Sequence, residues 1–164
     1  MRVYVPATVS MLETLRDEGV LHARSGTVFA LTPSLRESYN SGSTEELEYA
    51  AMTDAALASL RLLASDEQSE YMRRVVVAAD VEDVTLRPDL DVAVGRISGP
   101  VPLRQIVSVH VDGAEAAAAV RVAADEIDKA DLGDEAAELA VGDAEDHELA
   151  WYAPQELPFL LELL

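Results

Sequence analysis

The residues able to do chemistry are scattered along this chain rather than clustered. Its three histidines, His22, His110 and His147, form no His-x-x-x-His or His-Glu-x-x-His pair, so zinc-protease ligation has no basis here. Cysteine is absent, which removes disulfides, iron–sulfur clusters, thiolate metal sites and cysteine nucleophiles. No Gly-x-Ser-x-Gly elbow presents a serine, and Gly95-Arg96-Ile97-Ser98-Gly99 has neither the Walker nor the Rossmann spacing for phosphate. Carboxylates are plentiful from Asp128 to Glu148. An EF-hand loop begun at Asp128 nevertheless puts Ala130 and Leu132 where oxygen ligands belong and ends on Leu139. These acids read as a solvated surface, and no metal or cofactor is expected.

What remains is a set of side chains that strand alternation would gather. If Val3, Val5, Val75, Val77, Val107 and Val109 face helices, their neighbours face the other way. That second face would carry Arg2, Tyr4, Arg74, Val76, Ser108 and His110, joined by Tyr152 if the last strand has matching register. A mixture of cations, hydroxyls and rings suits a small anionic ligand or a partner protein. Arg2, Tyr4, Arg74, His110 and Tyr152 are therefore the candidate ligand or partner face. No catalytic residue is assigned.

Holding such a face requires strands, and four are readable: Arg2 to Pro6, Arg74 to Val81, Ile106 to Val111 and Leu149 to Ala153. Short extended pieces are added at Thr27 to Leu31 and Val92 to Ile97. Between them lie helical patterns. Ser10-x-x-Glu13 resembles a capping box, and Val9, Leu12 and Leu15 fall on one helical face before Gly19 stops the helix. Thr32-Pro33 opens a further turn. Ser43-x-x-Glu46 starts the strongest helix, with Leu47, Ala51, Ala55, Ala58 and Leu62 at helical spacing. Glu115 to Ile127 is an Ala-rich helix, Asp131 to Glu148 reads as an acidic loop with a short helix at Glu135 to Leu139, and Leu157 to Leu164 closes the chain as an apolar helix.

In order this reads β-α-β followed by β-α-β. The expected architecture is α+β: a ferredoxin-like sandwich with a four-stranded antiparallel sheet, helices on one face and extra helical segments. The 164 residues are expected to form one domain, 1–164.

Composition limits the partners. There are 31 acidic residues against 12 basic ones, and a net charge of −19 repels nucleic-acid phosphates, so direct nucleic-acid binding is not expected. No apolar stretch approaches the roughly 20 residues of a membrane span. Nothing depends on an oxidising compartment, and a cytoplasmic location is expected.

Several segments carry a resemblance: Met1-Arg2-Val3-Tyr4-Val5-Pro6-Ala7-Thr8, Ser25 to Pro33, Thr44 to Ala51, Arg74 to Val81 and Ala144 to Tyr152. Together they resemble a family of short uncharacterised actinobacterial proteins, along nearly the whole chain. The resemblance implies no activity and no role for any residue.

Three readings of function stay open. The first is a non-enzymatic protein acting through protein–protein contact, with a second copy or another protein as partner. The second is a small-molecule sensor or enzyme that uses the open sheet face. The third is an acidic mimic of nucleic acid that presents carboxylates to a basic protein.

Overall fold

A computed structural model describes residues 1–66 and 70–164. In chain order the elements are β1 (Arg2–Ala7), α1 (Val9–Glu18), β2 (Val20–Leu21), β3 (Thr27–Phe29), α2 (Pro33–Glu37) and α3 (Thr44–Ser65), then β4 (Val75–Asp80), β5 (Val84–Leu86), β6 (Val94–Ile97), β7 (Val101–Pro102) and β8 (Ile106–Asp112). The chain closes with α4 (Ala117–Asp131), α5 (Glu135–Glu145), β9 (Leu149–Tyr152) and α6 (Leu157–Glu162).

The fold is α+β. Its main sheet is seven-stranded in the order β5-β6-β3-β1-β4-β8-β9, with every neighbouring pair antiparallel. This corrects the four-stranded ferredoxin-like expectation in two respects. The four foreseen strands do share a sheet, but as direct neighbours β1-β4-β8-β9, and β3, β6 and β5 extend it beyond β1. Helices also cover both faces rather than one.

The reason lies in the central strands. Val75-Val76-Val77-Ala78-Ala79 is apolar without interruption and buried throughout, the pattern of a strand enclosed on both sides. On one side Val3, Val5, Val75, Val77, Val109 and Val111 meet Val9, Leu12 and Leu15 of α1, Leu157 and Leu160 of α6, and Leu21 and Val101 of the small β2–β7 ribbon. On the other, Tyr4, Phe29, Val76 and Ala78 meet Leu35 of α2 and Ala51 and Ala55 of α3. Alanines let α3 lie close to the sheet, while Leu60 and Leu63 at its far end pack against Val120, Ala123 and Ile127 of α4 and Val141 and Ala144 of α5.

Local signals set the helix ends. Thr8, not Ser10, caps α1 by accepting a hydrogen bond from the Met11 N–H, and Gly19 ends it in the left-handed region at φ 75°. Ser43 caps α3 as its sequence suggests. The acidic stretch expected as loop is largely the full helix α5. Asp134 accepts from the Ala137 N–H at 2.9 Å, Glu135 and Glu138 favour its positive end, and Ala137, Val141 and Ala144 pack inward.

One polar tie crosses the core. The fully buried Ser59 hydroxyl donates to the Ala7 carbonyl at 2.7 Å and accepts from the Val75 N–H at 2.9 Å, joining α3 to the ends of β1 and β4.

Candidate functional site

The sheet face on the α3 side is only partly covered. Beside the first turns of α3 a depression of about 310 Å³ is left, bordered by Arg2, Tyr4, Ser108 and His110 from the sheet and by Glu45 and Glu48 from the helix. Three of the five candidate residues, Arg2, Tyr4 and His110, therefore border one depression.

The polar contacts in it are local. Arg2 Nε lies 2.6 Å from Asp80 Oδ1, its cross-strand partner, and this bond raises the arginine pKa and lowers that of Asp80. The Tyr4 hydroxyl donates to Glu48 Oε2 at 3.4 Å, and burial first, then the Glu48 charge, raises the phenol pKa. Ser108 Oγ and His110 Nε2 share a hydrogen bond of 2.9 Å. Desolvation lowers the His110 pKa from its ordinary 6.5, so the ring is neutral at pH 7. Among the described residues no carboxylate is bonded to the other ring nitrogen, so the serine and histidine lack the orienting third member of a nucleophilic triad. With Arg2 tied to Asp80 and His110 neutral, the unbalanced charge belongs to Glu45 and Glu48. The face expected to suit anions is edged by carboxylates.

Arg74 stands apart from this group. It is 4% exposed and forms a two-pronged bond with the fully buried Asp112, at 2.8 Å from Nε and 2.7 Å from Nη2. Asp112 also accepts the Arg74 backbone N–H, and Nη2 reaches the His147 carbonyl at 2.8 Å. Nε and Nη2 are both committed to the scaffold, so Arg74 braces the start of β4, the end of β8 and the approach to β9.

Tyr152 is also displaced from the predicted face. The β8–β9 register pairs it with Val109, and its ring packs partly into the core beneath α1 and α6. Trp151 pairs with His110 and takes the place foreseen for Tyr152, 61% exposed. Val107 has moved too. A register shift between Ala78 and Ala79 puts Ile106 opposite Ala79 and turns Val107 toward the α3 side.

β9 ends the sheet, and backbone geometry shows what it leaves open. In an antiparallel strand the N–H and C=O of one residue point the same way, and successive residues alternate. The Asp112 N–H bonds the Arg74 carbonyl on the β4 side at 3.1 Å. Val109 and Val111 therefore point at β9, where they meet Tyr152 and Ala150. The backbone groups of Leu149 and Trp151 point outward, with no partner among the described residues. The strand itself, Leu149-Ala150-Trp151-Tyr152, has no charged residue, although lysines, prolines or bulges commonly guard such edges.

Fold and face together define an α+β protein whose antiparallel sheet ends in an unguarded aromatic edge beside a carboxylate-rimmed depression. The chain belongs to the family of unknown function DUF6912, whose model matches residues 1–161. No curated protein and no solved structure matches it.

Proposed function

We propose that the protein acts by protein–protein contact, and that a second copy of the chain is its partner, joined edge to edge along β9. The observation that carries this reading is the outward backbone of Leu149 and Trp151, unpaired among the described residues, on an uncharged edge strand with a well-exposed indole. An antiparallel two-fold pairing centred on Ala150 sets Leu149 of each copy opposite Trp151 of the other. Every outward backbone group of β9 then finds a partner, and each indole covers a leucine. The interface is isologous, as closed dimers require. Its formation works against the repulsion of two chains of charge −19, so added salt strengthens it by screening. A complex with a basic partner would weaken instead. The chain acts as one domain in this reading, and its cysteine-free sequence supports a cytoplasmic home.

Trp151 is the sole tryptophan, so its fluorescence reports the contact directly. Sedimentation equilibrium from micromolar to millimolar protein should show a monomer–dimer equilibrium, with indole emission moving to shorter wavelength as dimer accumulates. Trp151→Lys should remain monomeric under the same conditions, although it slightly reduces the repulsion between copies. A wild-type chain that stays monomeric throughout, with unchanged emission, overturns the proposal.

A further inference from the structure

A second cavity, of about 370 Å³, lies between the 39–42 segment and the outer side of α3. Its volume falls in the range of small-ligand pockets. Tyr39 from the segment and Tyr49 from the helix wall it, each about half exposed at 49% and 54%. They hold two of the five tyrosines in a chain with few aromatic residues. Glu46, Ala50 and Asp54 follow at intervals of four along α3, so the two carboxyl-bearing residues share one stripe with only a methyl group between them. Eight residues of helix separate their backbones by roughly 12 Å.

The charges are one-sided. Among the described residues no lysine or arginine lines the cavity. Asp54 is partly buried, and its carboxyl has no hydrogen-bond or ion-pair partner among the described residues. Burial, with Asp91 and Glu145 adding their repulsion, raises its pKa above the usual carboxylate value. A carboxylate held in this way gains from a cation brought to it, and the faces of the flanking tyrosines attract the same charge. Bare metal ions prefer converging oxygen ligands, whereas two rings and two spaced acids lining one cavity suit an extended chain with an ammonium at each end.

We propose that the cavity between Tyr39 and Tyr49 binds a small aliphatic di- or polyammonium compound, with its ammonium groups at Glu46 and Asp54 and its methylene chain across the rings. Tyr49 and Thr53 also border a small pocket that Leu149 of β9 helps to line, so binding is measured on dilute, monomeric protein.

Spermidine serves as the probe, followed by titration calorimetry and by the tyrosine ring resonances, with Mg²⁺ and butylamine as comparison cations at matched ionic strength. Spermidine should saturate a single site, shift the Tyr39 and Tyr49 signals and bind more tightly than butylamine. Tyr49→Ala and Asp54→Asn should each weaken it by about two- to fivefold, the scale of one lost cation–π or charge contact at an exposed site. Glu138→Gln, on the exposed side of α5, should leave the affinity unchanged. Circular dichroism confirms that each variant is folded. Equal binding to Tyr49→Ala and Asp54→Asn, or full displacement by Mg²⁺, would mark diffuse attraction to an acidic chain and overturn the proposal.

Discussion

Replacing Arg74 by alanine strands the Asp112 carboxylate, which is fully buried and held by that guanidinium. The variant loses the bonds from Nε and Nη2 to Asp112 and the bond to the His147 carbonyl. Removing one partner of a buried ion pair costs about 3–5 kcal/mol, because the remaining charge stays desolvated and uncompensated. That is a large share of the roughly 5–15 kcal/mol by which domains are stable. With a urea slope of about 2 kcal/mol per molar, the unfolding midpoint followed by far-ultraviolet circular dichroism should fall by about 2 M. The joint replacement of Arg74 by Met and Asp112 by Leu removes both charges and should recover part of the loss. A midpoint shift under about 0.5 M for Arg74→Ala, about 1 kcal/mol on the same slope, would refute the assignment of Arg74 to the scaffold.

Ser59→Ala deprives the Ala7 carbonyl and the Val75 N–H of their shared partner, and should cost about 1–3 kcal/mol in the same assay; no measurable change would mean that α3 is held to the ends of β1 and β4 without it. His110 should titrate below 6.5 when followed by its ring-proton resonance, because burial disfavours its charged form. The unfolded chain then takes up the proton first, so the His110 contribution is intact above the ordinary value and is lost as pH falls through 6.5 and the lower folded value. A midpoint at or above 6.5 contradicts the burial argument. Asp54 has the opposite sign for a carboxyl: its raised pKa means that stability declines as pH rises from the ordinary 3.8 through the folded value. Asp54→Asn should therefore raise the urea midpoint at pH 7, and a lowered midpoint would show that the charge has a compensating partner.

Some of this was legible in the residues. The strong starts and stops, Gly19, Thr32-Pro33 and Ser43, lie where the sequence indicates. The alternation of Val3-Tyr4-Val5 correctly separates the α1 side from the α3 side. Alternation fails where there is none to follow. Leu149-Ala150-Trp151-Tyr152 is apolar at every position, so its register is fixed only by pairing with β8, which exchanges Trp151 for Tyr152 on the shared face. The uninterrupted Val75–Ala79 run was a readable sign that both faces are covered. β2 and β7 are two residues each, and are ordered by pairing with each other and by the burial of Leu21 and Val101 against the sheet. The burial of Arg74 depends on Asp112, 38 residues later, a separation that no local pattern encodes. The same holds for the carboxylates that α3 brings to the depression.

Amide hydrogen exchange within β9 tests the edge-to-edge contact most directly. In dilute solution the Ala150 and Tyr152 amides should be protected by β8 and those of Leu149 and Trp151 should exchange freely. At high concentration all of them should be protected. Exchange at Leu149 and Trp151 that is as fast in concentrated protein as in dilute would contradict the account.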